Sequence, residues 1–555
     1  MLLFLLPIRP KRAWQERMGT SMKKARLLAL AVLPLLLCGC EAADKIAEIN
    51  GVINDFVWVK SGLFILLGTG VIMTLLTKVF QVSHFGHWVK KTIGSMFQRK
   101  VIGHSQDKRS ISQFQALCTA LAATIGVGNI AGVAAAIVAG GPGAVFWMWL
   151  AAFFGMMTNY SENVLGIFYR RRNAKGEWAG GAMYYLQDGL GAKKNCKTIG
   201  RILAILFSIF TILAAFGIGN VGQVNKIVAN VESAFPIAAL SEISVAGVSL
   251  YSVLIGVALM ILGALIILGG LKRIASVAEK IVPVMVCLFV IGSLIIIGVN
   301  YAQIGDAFSA IFRDAFTANS IWGGAVGFTV MKAITNGFKR GVFSNEAGLG
   351  SSVMVHSNSN VKEPVQQGMW GIFEVFADTI VVCTMTALVI LTSGVIDLQT
   401  GALAAGSGGD ATLVAKAFGT VFTFGGIDFG GMFIAVALFL FAFTTVLGWS
   451  HYGSTAFTYL FGEKATRWYK VVFVLVIMGG AMMTSTLAWD ISDTFNGLMM
   501  IPNLIGVLTL SGVVMKITKN YTDRHLRGLS IEPMLSYDPK IQKEQAEALK
   551  AEQNQ

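Results

Sequence analysis

Charged residues are scarce in this chain of 555 residues: Asp, Glu, Lys and Arg make up only 13% of it. Soluble domains carry about 25% charged residues, so the composition argues against a soluble protein. Cysteine is also sparse, with six residues at scattered positions and no metal-ligand spacing, which argues against a disulfide framework or a zinc site. No Gly-x-x-x-x-Gly-Lys-Ser/Thr phosphate loop occurs, and the histidines are dispersed. No sequence motif therefore supports ATP-driven transport or enzymatic catalysis.

Apolar residues dominate instead, at 55% of the chain with a mean hydropathy of +0.66. Apolar runs of about twenty residues recur, each long enough to cross a hydrocarbon core about 30 Å thick. We predict an all-α polytopic protein of the plasma or inner membrane, embedded in the lipid bilayer by eleven spans. They lie at roughly residues 60–78, 116–139, 143–168, 201–225, 249–270, 279–299, 320–340, 368–393, 429–460, 470–489 and 495–515.

The net charge of +14 is unevenly distributed. Lys and Arg concentrate on alternate loops, which the positive-inside rule assigns to the cytoplasm. The C-terminus is therefore predicted to be cytoplasmic and the start of the first span to be outside. The excess charge is thus explained by topology rather than by a nucleic-acid partner. The predicted cytoplasmic clusters lie at residues 78–109, 170–201, 272–273, 464–470 and 516–527, and at Lys339 with Arg340.

The chain divides into a signal-like segment, a first span with its basic loop, two repeats, and a polar tail predicted to be solvated in the cytoplasm. Met22 begins a charged and then apolar stretch that is typical of a secretory signal, with an uncleaved helix as the alternative. Each repeat holds five spans, and this odd number inverts the second repeat in the membrane relative to the first. The five regions are residues 1–50, 51–112, 113–300, 301–518 and 519–555.

Each repeat opens with a span that glycines interrupt. Gly126, Gly128 and Gly132 fall within the second span, and a glycine cluster at 323–327 falls within the seventh. Glycine is a poor helix former, so both helices are expected to break there. Paired broken helices mark the binding site of many secondary transporters, because free backbone at membrane depth is tolerated where it lines a cavity. The alternative is that these glycines only allow close helix packing.

Seven motifs are spread over roughly residues 50–520. They are TALAATIGVGNIAG (119–132), GPGAVFWMW (141–149), GGAMYY (180–185), FSNEAGLG (343–350), FEVFADT (373–379), TTVLGW (444–449) and NGLMMIPN (496–503). Together they resemble the alanine or glycine:cation symporter family. The resemblance implies the leucine-transporter-type fold, with one peripheral span and a five-plus-five inverted repeat, and sodium-driven uptake of alanine or glycine.

An amino acid brings a carboxylate, which freed amides at the start of a half-helix can bind with help from the helix dipole. The glycine-rich break in the second span is predicted to present such amides. Trp449, one turn beyond Thr445 on the same helix face, is predicted to wall the pocket, with core or lipid packing as the alternative. The predicted substrate-binding residues are Gly126, Val127, Gly128, Gly327, Thr329, Thr445 and Trp449.

The resemblance also implies two sodium shells built from backbone and side-chain oxygens. For the two threonine hydroxyls, the alternative is hydrogen bonding to carbonyls of their own helix, which is usual for membrane threonines. The first shell consists of the Thr124 carbonyl and the Asn129 side chain. The second consists of the carbonyls of Ala122 and Ile125 with the hydroxyls of Thr444 and Thr445.

Three acidic residues fall within the predicted spans, where a charge costs roughly 2.5–3.5 kcal/mol on insertion scales. Asp378 and Glu162 are candidates for an ion path. For Glu162 the alternatives are a structural ion pair with Arg170 or an interfacial position. Asp378 and Glu374, near the cytoplasmic end of the eighth span, are also compatible with solvation or with hydrogen bonding. Three amides of the fourth span either line the site or bridge helices: Asn220, Gln223 and Asn225.

These features together predict a sodium-coupled secondary symporter that imports a small neutral amino acid, alanine or glycine. No cofactor is expected besides the coupling ion, no nucleic acid is expected as a partner, and no oligomeric state is predicted. The alternatives are a proton-coupled symporter, with Asp378 or Glu162 as the proton carrier, and a channel, for which no repeated filter motif is visible.

Overall fold

A computed structural model describes residues 42–60, 62–96, 109–245, 247–316, 330–404, 408–483 and 487–553, so the signal-like stretch that begins at Met22 lies outside the described residues. The α-helices, in chain order, are α1 (Ala42–Asp55), α2 (Gly62–Leu76), α3 (Phe80–Ser83), α4 (Phe85–Lys91), α5 (Gln113–Thr124), α6 (Val133–Gly140), α7 (Gly143–Phe168), α8 (Ala182–Tyr184), α9 (Lys197–Phe216), α10 (Gly222–Ala234), α11 (Ala238–Ser241), α12 (Leu250–Ile267), α13 (Leu271–Val299), α14 (Ile304–Phe316), α15 (Val330–Asn345), α16 (Val353–His356), α17 (Pro364–Val375), α18 (Thr384–Thr392), α19 (Ala411–Gly419), α20 (Phe429–Phe461), α21 (Glu463–Met482), α22 (Leu487–Thr509), α23 (Ser511–His525) and α24 (Pro539–Gln553).

Short segments of other structure complete the described chain. The π-helical segments are Phe56–Lys60, Gly128–Gly132, Tyr185–Leu190, Gly217–Val221 and Phe376–Cys383, and the 3-10 turns are Ile93–Ser95 and Tyr301–Gln303. The antiparallel hairpins pair β1 (Arg171–Arg172) with β2 (Trp178–Ala179), β3 (Ser244–Val245) with β4 (Val248–Ser249), and β5 (Thr423–Phe424) with β6 (Ile427–Asp428).

Seven of the described helices are long and apolar enough to cross a membrane, or nine spans if each of two bent helix pairs counts as one. The predicted span at 143–168 is the 26-residue helix α7, while that at 320–340 extends outside the described residues. The all-α membrane fold is thus confirmed, and the number of eleven spans stays a prediction. The candidates are Lys45–Leu76, Lys197–Ala234, Leu250–Ile267, Leu271–Val299, Pro364–Thr392, Phe429–Phe461 and Glu463–Met482, with the bent pairs Gln113–Thr124 plus Gly128–Gly140 and Asp490–Thr509 plus Ser511–His525.

Large apolar side chains are exposed along the outer helices. Leu265 of α12 is 60% exposed, and Val284 and Ile291 of α13 are 57% and 56% exposed. Exposing such a surface to water would cost free energy. Exposing it to lipid would not, because lipid tails are as apolar as leucine. The exposed stripe therefore suits a position against the bilayer.

The first predicted break is present. Helix α5 ends at Thr124, and Ile125 follows with an extended backbone at φ −76° and ψ 95°. The chain re-enters helical geometry through the π-helical segment Gly128–Gly132, and the two halves are bent by 53°. The glycines at the centre of the motif thus break the helix, as their low helix propensity predicts.

A second break, which the sequence analysis did not predict, follows helix α15. The glycine cluster at 323–327 lies outside the described residues. Helix α15 ends at Asn345, and the chain turns through Glu346 (φ 55°), Gly348 (φ 94°) and Gly350 (φ 71°) before α16 begins. Two of these positive φ angles fall on glycines, which adopt them without steric cost. Glu346 has no such freedom, and its left-handed backbone marks a strained position.

Helix α7 packs against two helices from the second half of the chain. It packs along both α15 and α17. A Cβ atom on Gly337 of α15 would overlap the carbonyl of Ala144, and one on Gly368 of α17 would lie 2.7 Å from the ring of Tyr160. Small residues at these crossings let the helix backbones approach closely, as is common in membrane helix packing.

The C-terminal tail is docked on the loops, in contrast to the predicted solvated segment. The Tyr537 N–H donates to the carbonyl of Phe168 at the end of α7, at 3.1 Å. Glu544 of α24 pairs with Arg172 of β1 at 3.0 Å. Specific partners on the loop after α7 explain why a segment of high polarity is not free. The same contacts place that basic loop and the C-terminal tail on one side of the molecule.

Lys339 and Arg340 do not lie with the predicted cytoplasmic clusters. The Lys339 ammonium pairs with Asp493 at 2.7 Å and lies 3.4 Å from Asn54 Oδ1. The predicted topology puts the ends of the spans that carry Asn54 and Asp493 on the opposite side. The assignment of this pair of cations was therefore wrong, because α15 continues to Asn345 and breaks in the interior instead of ending at residue 340.

Candidate functional site

A small cavity lies where the two breaks face each other. Helix α20, helix α22, and the π-helical segment Gly217–Val221 with the start of α10 close its sides. The lining residues are Ala123, Thr124, Gly126, Gly128, Ile218, Gln223, Phe343, Glu346, Thr445, Trp449 and Asn496.

Backbone amides of the first break have side-chain partners. The Gly126 N–H donates to Asn129 Oδ1 at 2.9 Å, and the Val127 N–H donates to Gln223 Oε1 at 3.3 Å. Donors at the start of a half-helix have no helical carbonyl within reach, so side-chain oxygens satisfy them. Gln223 therefore belongs to the site. Its oxygen accepts a hydrogen bond from the Val127 N–H, which the sequence analysis predicted to bind the substrate carboxylate.

The other two amides of the fourth span bridge helices. Asn220 Nδ2 donates to the carbonyl of Phe473 at 2.8 Å, and Asn225 Nδ2 donates to that of Met483 at 2.6 Å. Both acceptors belong to α21 or directly follow it. Of the three amides, Gln223 thus lines the site, whereas Asn220 and Asn225 bridge helices.

Gly126 and Gly128 let the cavity walls approach each other. A Cβ atom on Gly126 would lie 2.5 Å from Thr445 Oγ1, and one on Gly128 would lie 3.1 Å from Phe343 Cδ1. A Cβ atom on Gly132, in the same π-helical segment as Gly128, would meet nothing within 4 Å. At Gly126 and Gly128 the absence of a side chain therefore both allows close packing and leaves the cavity open. At Gly132 a side chain would affect neither the packing nor the cavity.

The vicinal threonines of α20 point in different directions. Thr445 Oγ1 lies 3.4 Å from the Ile125 carbonyl and donates to its own helix at Phe441. Thr444 Oγ1 contacts the same Phe441 carbonyl and, at 3.7 Å, Met285 Sδ. The structure therefore brings Thr445 to the first break and turns Thr444 toward α13.

A polar cluster behind the cavity connects the two breaks. Asn129 Nδ2 donates to Asp378 Oδ1 at 2.7 Å, and the hydroxyls of Ser344 and Thr379 each donate to Asp378 Oδ2 at 2.8 Å. Asp378 is completely buried. Buried charge requires such compensation, so the solvation that the sequence allowed for Asp378 is excluded. The carboxylate joins the first break at Asn129 to the end of α15 at Ser344.

Glu346 is a site residue that the sequence analysis missed. Its Oε1 accepts from Trp449 Nε1 at 2.8 Å, and its Oε2 accepts from Ser351 Oγ at 2.5 Å. The Trp449 ring is fixed from behind, because a Cβ atom on Gly219 would fall on it. The motif FSNEAGLG (343–350) contains this acid just before two glycines, which could have indicated a site at a helix break. The sequence analysis used the motif only as evidence of the family resemblance.

Glu162 and Glu374 lie away from the cavity. Glu162 Oε1 accepts from Asn503 Nδ2 at 2.5 Å, whereas Arg170 donates to backbone carbonyls, including that of Ser359 at 2.8 Å. The alternative of an ion pair between Glu162 and Arg170 is therefore wrong. Glu374 is completely buried and bonded to His356 at 2.9 Å, so it is not solvated either.

The structure assembles much of the predicted site. Thr124, Gly126, Gly128, Thr445 and Trp449 line the cavity, and Ile125, Val127 and Asn129 complete the first break beside it. Of the remaining predicted residues, Ala122 is buried near the end of α5 and Thr444 is turned toward Met285. Asp378 lies behind the cavity and Glu162 lies farther away. Gly327 and Thr329 lie outside the described residues.

The cavity combines groups that suit a small zwitterion. It is lined by two side-chain amides, Gln223 and Asn496, and by one acid, Glu346, and Trp449 forms an aromatic wall. Among the described residues, no group of three or more His, Cys, Asp or Glu side chains is placed to hold a metal ion. Carbonyl, hydroxyl and amide oxygens surround the first break, and oxygen is the ligand that hard cations prefer.

Known proteins are similar in sequence to this chain over most of its length. A family model described as the sodium:alanine symporter family matches residues 43–534. The sodium/alanine symporter AgcS of Methanococcus maripaludis is 42% identical over 489 residues, which cover 86% of this chain and 98% of AgcS. The putative sodium/proton-dependent alanine carrier protein YrbD of Bacillus subtilis is 36% identical over 508 residues, covering 90% of this chain and 95% of YrbD. An uncharacterized transporter of Haemophilus influenzae is 41% identical over 480 residues, covering 86% and 97%.

These matches agree with the motifs that flank the cavity, and they confirm the resemblance found in the sequence. Transport across a membrane, and not catalysis, is the activity of this group of proteins. The chain belongs to the sodium:alanine symporter family.

Proposed function

We propose that this chain imports a small neutral amino acid, alanine or glycine, together with sodium. The observation that carries the proposal is the small cavity between two helix breaks, one of which presents backbone amides and the other a carboxylate. Relatives named for sodium and alanine support the same substrate and ion. One elementary charge is worth about 2.3 kcal/mol per 100 mV, so sodium entry can drive accumulation of a neutral amino acid.

The substrate carboxylate is proposed to bind the first break. Freed N–H groups at the start of a half-helix attract an anion through hydrogen bonds and the helix dipole. The Val127 N–H now bonds to Gln223 Oε1 at 3.3 Å. A carboxylate can take over this donor if Gln223 rotates away, and the released amide of Gln223 can then donate to the bound substrate.

The substrate ammonium and side chain are proposed to face the second break. Glu346 supplies the negative charge that an ammonium needs in a cavity with little water. Trp449, held by Glu346 at 2.8 Å and packed on Gly219, limits the space for the substrate side chain. A wall that cannot retreat favours alanine and glycine over larger amino acids.

Sodium is proposed to bind the oxygens of the first break. One shell contains the carbonyl of Thr124 and Asn129. The other contains the carbonyls of Ala122 and Ile125 with Thr445. Thr444 was predicted for the same shell, but its hydroxyl faces Met285, so we leave it out of this proposal.

Replacing Thr445 with Ala is expected to raise the sodium concentration for half-maximal alanine binding by about tenfold, or about 1.4 kcal/mol, because the shell loses an oxygen that a methyl group cannot replace. Thr444→Ala is the matched control and is expected to change it by less than about twofold. The measurement is alanine binding to the purified protein over a series of sodium concentrations. A wild-type value for Thr445→Ala removes Thr445 from the shell, and an equal shift in both variants restores Thr444 to it.

We also propose that the N-terminus lies outside and the C-terminus in the cytoplasm of a cell that carries this protein in its plasma or inner membrane. The proposal rests on the basic loops, several of which contact the C-terminal tail or one another, as in the pairs Arg172–Glu544 and Lys175–Glu463. Cytoplasmic placement of these cations follows the positive-inside rule.

A further inference from the structure

One polar side chain that lines the cavity has no role in the function proposed above. It is Asn496, on helix α22, which closes one side of the cavity. We propose that Asn496 Oδ1 accepts a hydrogen bond from the ammonium group of the bound amino acid, as a second acceptor beside Glu346. The proposal rests on the proposed function, because it requires that an amino acid binds in this cavity.

Asn496 Oδ1 is buried and has no hydrogen-bond partner among the described residues. The whole side chain is only 1% exposed. Buried polar atoms nearly always have a partner, because an acceptor that is withdrawn from water loses hydrogen bonds that must be replaced. An unpaired acceptor in the wall of a binding cavity therefore marks a position for a donor of the ligand.

The other side-chain oxygens in the cavity wall already have partners in the protein. Two hydroxyls donate to carbonyls of their own helices, an amide oxygen accepts from the first break, and both carboxylate oxygens accept from side chains. The residues that supply these oxygens are Thr124, Thr445, Gln223 and Glu346. Among the lining side chains, the oxygen of Asn496 is thus the one that no described residue engages.

The hydrogen-bond donors of alanine and glycine all belong to the ammonium group. Each zwitterion carries three N–H donors there, whereas its carboxylate only accepts and its side chain does neither. The three N–H bonds point in different directions, so Glu346 on one side leaves at least one of them without an acceptor. Asn496 Oδ1 supplies that acceptor from a different helix.

Contacts on both sides of Asn496 hold this part of α22 in place. One turn earlier, the Asp493 carbonyl accepts from Trp58 Nε1 at 3.2 Å. Two turns later, Asn503 Nδ2 donates to the Gly348 carbonyl in the second break at 2.9 Å. A side chain on a fixed backbone loses little freedom when a ligand binds, so less of its interaction is offset by the cost of ordering.

This role agrees with the orientation proposed for the substrate. The carboxylate is assigned to the first break, which leaves the ammonium for Glu346 in the second break and Asn496 on α22. A hydroxy acid such as lactate has one hydroxyl donor in place of three N–H donors, so it satisfies only one of these two acceptors. A site that is built to accept hydrogen bonds from a ligand rejects analogues without the donors, because its own buried groups stay unpaired.

The test measures equilibrium binding of alanine and of glycine to the purified full chain in sodium. Asn496→Leu removes the acceptor at similar volume and is expected to weaken binding of both amino acids by about tenfold, or about 1.4 kcal/mol. The two losses should be equal, because alanine and glycine share the ammonium group. The sodium concentration for half-maximal binding, measured with alanine at a fixed multiple of the Kd of each protein, should stay within about twofold of the wild type.

Asn496→Asp is the second variant, and its side chain has nearly the same shape as that of Asn, so it is expected to fold. Aspartate has an acceptor oxygen in either protonation state. The variant should therefore bind alanine at least about fivefold more tightly than Asn496→Leu does.

Asn163→Leu is the matched control. Asn163 on α7 also has a buried Oδ1 without a partner among the described residues, but it does not line the cavity. Its Nδ2 donates to Asn159 Oδ1 at 2.6 Å, so the substitution is expected to lower thermal stability. Alanine affinity should stay within about twofold of the wild type.

Four results would overturn the role of Asn496 alone. They are an unchanged alanine affinity in Asn496→Leu, and a loss of the same size in Asn163→Leu. The third is a shift in the sodium requirement as large as the loss of alanine affinity, which would assign Oδ1 to sodium. The fourth is an Asp variant as weak as the Leu variant, which would assign Nδ2 to the substrate carboxylate. A wild type that binds neither amino acid in sodium would instead refute the proposed function, and this proposal with it.

Discussion

Replacing Gly128 with Leu is expected to abolish sodium-dependent alanine binding while the protein remains folded. A Cβ atom at this position already lies 3.1 Å from Phe343 Cδ1 and 3.4 Å from the Ser344 backbone. The rest of a leucine side chain has no room except the cavity that Gly128 lines. The substrate and the first break would then compete with it for the same small volume. The measurements are alanine binding and thermal stability on one purified sample.

Gly132→Ala is the control for this prediction. Gly132 shares the π-helical segment Gly128–Gly132, but a Cβ atom there meets nothing within 4 Å. Its substitution by Ala is expected to leave alanine binding within about twofold of the wild type and to favour the helix slightly. Gly128→Ala should fall between the two, since the Phe343 ring has to move by a few tenths of an ångström. A stable Gly128→Leu protein that still binds alanine would place the substrate elsewhere.

The second large effect is expected at Glu346. Glu346→Gln should weaken alanine binding by about 100-fold, or about 2.8 kcal/mol, because removing one partner of a buried charge pair costs roughly 2–5 kcal/mol. The loss should depend on the ammonium group of the ligand. Lactate has the same carboxylate and methyl group without the ammonium, so the preference for alanine over lactate should fall in the variant.

Glu363→Gln is the control for Glu346→Gln. Glu363 is as buried as Glu346, but it pairs with Arg524 at 2.6 Å on the side of the C-terminal tail. Its loss should lower thermal stability and leave alanine affinity within about twofold of the wild type. An unchanged preference for alanine over lactate in Glu346→Gln would show that Glu346 only holds Trp449 in place and does not pair with the ammonium.

The first break was predictable from the sequence for a physical reason. Gly126 and Gly128 disfavour helix wherever they stand, so a local rule located the break without knowledge of the fold. The pairing of this break with Thr445 spans more than 300 residues. That pairing came from the family resemblance and not from local patterns, which contain no information about contacts at such a separation.

The second break and its acid could not be located by the same rule. Glu346 has a helix propensity close to that of good helix formers, and its left-handed backbone arises only from the tertiary surroundings. Counting apolar residues ended the seventh span at residue 340 and so put Lys339 on the wrong side. The ammonium of Lys339 is satisfied by Asp493, a partner more than 150 residues away in the chain.

Gln223 and the C-terminal tail illustrate the same limit. Three amides in one span share a composition, and only their partners separate Gln223, which bonds to the first break, from Asn220, which bonds to α21. The tail carries polar residues suited to solvent, yet Tyr537 and Glu544 find partners on the loop after α7. Composition predicts where a segment can lie, and specific contacts decide where it does lie.

The most direct test of the account is uptake of labelled alanine into proteoliposomes that contain only this protein. With a tenfold inward sodium gradient and no membrane potential, each coupled sodium supplies about 1.4 kcal/mol, so alanine should accumulate by up to about tenfold per sodium. A membrane potential that is negative inside should increase this accumulation, and collapse of the sodium gradient should abolish it. Equal accumulation with potassium in place of sodium, or alanine that only equilibrates across the membrane, would contradict sodium-coupled symport.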